Sequence, residues 1–382
     1  MKRLAIIGAS YLQVPLIIKA KELEVETHVF AWGKNEPGEK CADFFYPISI
    51  IDKETILREC KKIGISGICS IASDLASITV NYVACAMGLV GNSIECTMMS
   101  TNKYMMRQAF EKNGDPSPKS YLVSDGICLK NKSLKFPIIV KPTDRSGSRG
   151  ITKLKTEENL EYAIQIAKEQ GFEKKVLVEE YVYGEEYSIE CISWRGKHSF
   201  IAMTKKYTTG APHFIEMAHL QPALVSPEIL NKVKRIVFHA LDSLKIEFGA
   251  SHTEIKIDKA GSINLIEIGG RMGGDLIGSK LVELSTGIDF VRAVIQIALS
   301  EKPNLDPIKE TSAAAVRYIF SEKDMNVLGK IKLEHPEVLV SADIQEVGNG
   351  KVTDSSNRYG YFLLESKDVR DLLEYMPNQM ED

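Results

Sequence analysis

Three stretches of this sequence place charged residues and glycines where they could handle phosphate, a sugar and a cation. The first is FPIIVKPTDRSGSRG, residues 136–150. An apolar strand delivers Lys141 at its end, Pro142 stiffens the exit, and Ser146, Gly147, Ser148, Arg149 and Gly150 follow as a loop. Small residues let backbone N–H groups approach phosphate oxygens, and the lysine adds positive charge. It is not a Walker loop, because the lysine precedes the glycines. A mobile surface loop has the same composition, so this stretch alone leaves both readings open. The second is VLVEEYVYGEEYSIE, residues 176–190. A strand runs into Glu179, Glu180, Tyr181 and Val182, turns at Gly184 and resumes with Glu186. Such a backbone beside an apolar pocket can pair with the edge of an adenine, and a carboxylate a few residues on can accept ribose hydroxyls. A hairpin with a solvated acidic face is the alternative.

The third stretch is HTEIKIDKAGSINLIEIGGRMGGD, residues 252–275. Here Glu254 and Glu267 fall on two adjacent strands joined by a turn at 258–261. Carboxylates side by side repel unless a cation bridges them. Mg²⁺ suits that place, because it takes one or two carboxylates together with phosphate oxygens. Ile255, Ile257, Leu265, Ile266 and Ile268 weigh against an exposed acidic hairpin. Arg271 follows in a glycine-rich turn that would let it swing onto an anion.

Elements must position these residues, and the composition says what kind of molecule they belong to. With 382 residues, 44% hydrophobic and 26% charged, the chain reads as a folded soluble protein of two or three domains. Its 48 basic and 51 acidic residues give a charge of −3, which disfavours a nucleic-acid partner bound by counterion release. Seven cysteines, none in a CxxC pair, point to buried thiols in a reducing compartment. The apolar run of MKRLAIIGAS stops at Gly8, too early for a signal peptide, and no window reaches the ~18 apolar residues of a membrane span. A cytoplasmic location without a membrane partner is expected.

Strands at 4–7, 27–31 and 67–71 alternate with helices at 14–23, 53–62 and 76–87, which predicts a doubly wound parallel sheet. A dinucleotide fingerprint would need glycines where Ser10 and Gln13 stand, so this domain reads as scaffold or substrate-side wall. A helix at 102–112 ends before Gly114-Asp115-Pro116-Ser117-Pro118, a hinge signal. Strand 137–141, helix 156–170 and strand 176–180 make an α+β lid subdomain over 118–183. A strand at 186–194, helices at 227–244 and 288–298, and short strands at 313–320 and 359–364 complete the reading. The expected domains are 1–97, 98–306 and 307–382.

The order of the three stretches resembles the ATP-grasp superfamily over nearly the whole chain. IIGASYLQVP and TNKYMMRQAFEKNGDPSP are similar to that superfamily's first domain and to the approach to its nucleotide domain. The resemblance implies a mixed α/β and α+β chain with the ATP-grasp fold. Two α+β subdomains would clasp ATP behind a biotin-carboxylase-like, doubly wound parallel-sheet domain, followed by a small C-terminal portion. It implies Lys103 on the α-phosphate, Lys141 between α and β, the 146–150 loop over the phosphates, Glu179 to Val182 at the adenine and Glu186 on the ribose. Glu254 and Glu267 would hold Mg²⁺ or Mn²⁺. Many members continue the second metal acid as E-x-N-P-R, whereas here Glu267-Ile268-Gly269-Gly270-Arg271 lacks the asparagine and leaves the number of ions open.

That glycine-substituted form is similar to the L-amino-acid ligases, which condense two amino acids. They carry an acid and a histidine three apart, seen here as Glu216 and His219, and an arginine and glycine matching Arg271 and Gly274. The resemblance implies metal support from Glu216, substrate contact by His219, and oxyanion stabilisation by Arg271 and the Gly274 amide. His252 is read as structural, and Arg317 as either a substrate-carboxylate ligand or a surface ion pair. The implied activity joins a small carboxylate to an amine through an acyl phosphate, releasing ADP and phosphate. Two rivals stand beside it: a carboxylase or ribonucleotide ligase using bicarbonate or a ribose-linked amine, and a nucleotide-binding regulatory module without turnover. The full set Lys103, Lys141, Glu254, Glu267 and Arg271 argues against the module. A homodimer is the commonest default for the assembly.

Overall fold

The computed structural model describes residues 1–33, 35–123, 135–211, 214–348, 352 and 354–378. Part of the expected lid and Cys128 lie outside the described residues, and the other six cysteines are free thiols. The chain begins β1 (Arg3–Ile7), α1 (Val14–Glu22), β2 (Glu26–Phe30), β3 (Phe44–Tyr46), α2 (Lys53–Ile63), β4 (Gly67–Cys69) and α3 (Asp74–Met87). These strands make a parallel sheet in the order β3-β2-β1-β4. Leu4 and Ile6 of β1 enter one apolar cluster with α1, while Ala5 and Ile7 enter another with α2 and α3. A strand buried on both faces has no polar side to show, hence its unbroken apolar run. Strand β3 was not anticipated, since three residues are too few to show a period.

Helices α4 (Ile94–Thr101) and α5 (Lys103–Asn113) lead onward. Asn102 ends the first and caps the second, its side chain accepting the N–H groups of Tyr104 and Met105 at 3.1 and 3.2 Å. The cap fixes Lys103 on the first turn of α5. Next come β5 (Ser120–Val123), β6 (Ile138–Pro142), β7 (Thr152–Leu154), α6 (Leu160–Gln170) and β8 (Val176–Glu180). The four strands form an antiparallel sheet, β5-β8-β6-β7, with α6 over a core of its own that includes Ile138, Val140, Ala163 and Val178.

The third sheet carries most of the site. Its first strands are β9 (Glu185–Trp194), β10 (Lys197–Thr208) and β11 (Glu216–Gln221). Helix α7 (Pro227–Ser243) separates these from β12 (Phe248–Ile257) and β13 (Ile263–Gly269). After α8 (Val282–Thr286) and α9 (Phe290–Ala298) come β14 (Ala313–Tyr318), α10 (Glu322–Glu334), β15 (Leu339–Ile344), β16 (Gly360–Ser366) and α11 (Val369–Leu373). The sheet is ordered β13-β12-β9-β10-β11-β14-β16-β15. The C-terminal strands therefore extend this sheet, through β11–β14 pairs such as His219 opposite Val316, instead of forming a separate one. Helix α9 turns back and joins α1 in the core under the first sheet. Among the described residues no helix is long and apolar enough to cross a membrane.

Candidate functional site

Strands β12 and β13 pair with Glu254 directly opposite Glu267. Each acid meets a buried lysine from elsewhere in the chain. Lys206 on β10 bonds to Glu254 and stands 3.7 Å from Glu216. Lys103 donates to Glu267 Oε1 at 2.6 Å and to the Arg145 carbonyl at 2.8 Å. Burial works against the charge on Lys206, but Glu254 and Glu216 reverse it and leave its pKa raised. Burial likewise raises the Glu254 carboxyl, while Lys206 and His252 hold it well below the usual carboxylate range. No group of three or more His, Cys, Asp or Glu able to hold a metal ion occurs among the described residues, and Glu216 meets Glu254 only through the Lys206 they share. Two facing carboxylates still suit Mg²⁺, which completes its shell with phosphate oxygens and water.

Two spaces meet at Glu254, sharing Lys206, Glu216 and Glu254 in their walls, while Glu267 and Lys103 lie behind it and line neither. The narrower, about 120 Å³, lies between the second and third sheets. Lys141, Glu179, Glu180, Tyr181, Val182 and Glu186 all line it, and so does Ser148 of the 146–150 loop. Pro118, Phe214 and Ile266 supply apolar surface. The Glu179 side chain turns onto Lys141, and the Arg107 guanidinium pairs with its other oxygen at 3.1 Å. Burial pushes that carboxyl up, and Arg107 and Lys141 more than offset it. Glu179 thus acts in this arrangement by fixing a lysine. Glu186 is held by Lys256 at 3.2 Å, and Lys256 also lies 4.6 Å from the Tyr181 ring.

The wider cavity, about 550 Å³, carries Ser146, Gly147 and Arg149 on one wall and Arg271 and Gly274 on another. Gly147, at φ +69°, makes a turn that a side chain would strain, and the Ser148 hydroxyl donates to the Phe214 carbonyl at 3.2 Å. Gly150 borders neither space; it lies against Gln170 and Pro142. Arg271 is not free to swing: its Nε and Nη2 donate to Asp74, on the first turn of α3, at 2.8 and 3.0 Å. The sequence missed a buried clamp beside it. One oxygen of Glu190 binds His252 Nδ1, and the other accepts the Gly273 N–H at 2.9 Å. A Cβ on Gly273 would stand 2.5 Å from that carboxylate, so only glycine fits. His252, expected to be structural, lines the cavity with Nε2 3.5 Å from Glu254. Burial opposes its protonation, yet Glu190 and Glu254 raise its pKa to about 9.

His219 is buried on the same wall, and neither ring nitrogen has a hydrogen-bond partner. Asp275 Oδ2 lies 3.7 Å from Nε2, but burial dominates and lowers the imidazole pKa. The arginine of this wall is Arg358. It grips Asp275 with two bonds of 2.8 and 3.0 Å, donates to the carbonyls of Ser355 and Glu216, and lies 3.6 Å over the Tyr318 ring. Of the two roles expected of it, Arg317 takes the ion pair, but a buried one: its guanidinium sits on Asp324 and the Tyr375 carbonyl, outside both spaces. A lysine or acid at an inward position of an apolar strand, as at Lys206 and Glu190, is the signal that could have found those two; Arg358 offers none.

Residues 134–279 match the protein family described as the ATP-grasp domain. The alanine–anticapsin ligase of Bacillus subtilis is 28% identical over 292 residues, covering 67% of this chain and 61% of that protein. The chain spans between 44% and 61% of the length of the alanine–anticapsin ligases it matches. Among solved structures, an L-amino acid ligase from Bacillus licheniformis superposes with a TM-score of 0.80 at 22% identity, covering 98% of this chain and 96% of that one. The biotin carboxylase domain of the Hydrogenobacter thermophilus 2-oxoglutarate carboxylase, in complex with MgADP, superposes with a TM-score of 0.73 at 18% identity, over 96% and 86%. At these identities the likeness shows the fold, which is the one the resemblance implied.

Proposed function

Because residues 134–279 match the ATP-grasp domain family, we propose that the chain is an ATP-dependent ligase that joins a small carboxylate to an amine through an acyl phosphate. The observation that carries this reading is Glu254 where the two spaces meet, backed by Glu267 directly opposite it, with Lys103 and Lys206 on the two acids. The narrow cleft suits a nucleotide. Tyr181 and Val182 would border the adenine, Glu186 the ribose, and Lys141 and Ser148 the phosphates. The wide cavity suits the acid, so that its carboxylate faces the γ-phosphorus across the carboxylate pair. Mg²⁺ held by Glu254 and Glu267 would supply positive charge to the transferring phosphoryl group.

The residues of the chain then have separable tasks. Arg271, oriented by Asp74, and the Gly274 N–H would stabilise negative charge on the acyl group when the amine attacks and phosphate leaves. The 146–150 loop and the sheet of β5 to β8 would shield the acyl phosphate from water. Ligation of amino acids is favoured over carboxylation by the relatives named as alanine–anticapsin ligases and D-alanine–D-alanine ligases. A screen of amino-acid pairs for phosphate release, with mass detection of the product, tests the reading. Release that needs bicarbonate instead of an amine would move the chain to the carboxylase branch. Nucleotide binding without release from any pair would leave a regulatory module.

A further inference from the structure

The turn that follows β13 carries Arg271 and Gly274, the two groups that the ligase reading sets on the acyl oxygen. It is held from two sides. On the first-domain side Asp74 takes two N–H groups of Arg271, at 2.8 and 3.0 Å, and the Ala72 N–H donates to the Met272 carbonyl at 3.2 Å. On the other side stands Glu190 of β9, fully buried. One of its oxygens accepts the Gly273 N–H at 2.9 Å, and the other binds His252 Nδ1. The fit is close, since a Cβ on Gly273 would stand 2.5 Å from Glu190 Oε1 and 2.6 Å from His252 Nδ1. Without the Glu190 bond, the turn would be fastened from the first-domain side alone.

Taking a carboxylate out of water costs several kcal/mol, so Glu190 is a poor choice as filling between strands. Its two partners are not core groups either. Gly273 immediately precedes Gly274, and His252 lines the wide cavity. Hydrogen bonds to an ionised acceptor are shorter and roughly twice as strong as neutral ones, which suits a group that must fix a backbone N–H in one place. We propose that Glu190 is a positioning residue for acyl transfer. Through the Gly273 N–H it sets the place of the 271–274 turn, and so of the groups that meet the developing negative charge. The inference rests on the ligase reading for the reaction itself. Glu190 lines neither space and touches no substrate in this role. Oxyanion donors act only at the position the oxygen will occupy, and a misplacement of about 1 Å costs about 10²-fold in rate. Phosphoryl transfer depends in that reading on Lys141, Glu254 and Glu267, so a displaced turn should separate the two steps.

The test uses the full chain, an acid–amine pair that it turns over, and saturating Mg²⁺ and ATP. Rapid quench without the amine reads ADP formed in the first turnover, and mass detection with the amine reads the amide. Glu190→Asp draws the carboxylate back by a methylene, and Gly273→Ala pushes the turn off it. Each should slow amide formation by about 10²-fold and leave the first-turnover ADP rate within about threefold, with the KM for ATP in place. Glu190→Gln keeps an acceptor for the Gly273 N–H and should lose less than Glu190→Asp. Equal falls in both rates, or an Asp variant as active as the parent, would overturn the inference. Hydrogen exchange gives a readout that does not need turnover. In the MgADP-loaded chain, Glu190→Asp should speed amide exchange over 271–274 by about 10-fold and leave that of α7 unchanged. No change at the turn, or the same acceleration in α7, would overturn the inference. If the parent chain forms ADP from no acid, the ligase reading falls, and the exchange result still decides whether Glu190 holds the turn.

Discussion

At the narrow cleft the charges form closed sets, whereas the wide cavity keeps groups in reserve. Lys141 and Arg107 take the two oxygens of Glu179 deep in the protein, with Arg107 Nη1 left over, and Glu186 has its lysine. Across the carboxylate pair, His219 lacks a hydrogen-bond partner and Arg149 stands exposed. Closed sets cost desolvation but hold a lysine in one place, which suits a ligand whose phosphates never vary. Open groups leave hydrogen-bonding capacity for a ligand to complete. The difference suggests that one side recognises a fixed cofactor and the other chooses among substrates.

That contrast can be broken at several points. Glu267→Ala, opposite Glu254, should cut substrate-dependent ADP release by about 10³-fold, roughly 4 kcal/mol of transition-state stabilisation. Turnover within tenfold of the parent protein would sink the metal assignment. Glu179→Gln strands two buried cations in the closed set and should cost about 3–5 kcal/mol of stability; urea denaturation reads it. Glu190→Gln keeps an acceptor for the Gly273 N–H but removes the charge facing His252, so kcat should fall about 10–100-fold. If Glu190 only supported the fold, stability would drop without a change in the Mg²⁺ concentration needed for half activity.

The smallest effect concerns pH. His219 has a folded pKa below its unfolded value of about 6.5. The unfolded chain therefore binds the proton first as pH falls, and stability is lost through the window below about 6.5. Replacing His219 with Gln should flatten that loss by about 1–2 °C in the melting temperature between pH 7.5 and 5.5. An unchanged slope would mean that other groups carry it.

The same contrast explains what could be read from the chain. Lys141 and its loop, Glu186, and the Glu254–Glu267 pair each lie on one strand or hairpin, so a short window holds the whole device. Much of the fold was legible for that reason, since apolar runs and caps are local. Tyr11, Asp275 and Arg358 are brought together from three distant parts of the chain. No pattern of period two or 3.6 connects them, and Arg317 looked the better arginine only because its strand was apolar. Helix α10 escaped notice although Ser321 and Asp324 form a capping box at its start.

The eight-stranded sheet carries Glu254 on β12 and Glu216 on β11, with β9 and β10 between them. At about 4.8 Å per step, three strand steps set a backbone spacing of about 14 Å. That spacing belongs to a continuous hydrogen-bonded sheet and does not depend on how the smaller sheet moves. Across that backbone span Lys206, on β10, reaches both side chains, bonding to Glu254 and standing 3.7 Å from Glu216. One buried ammonium therefore ties the narrow cleft to the wide cavity, so that a change at Lys206 would be felt in both.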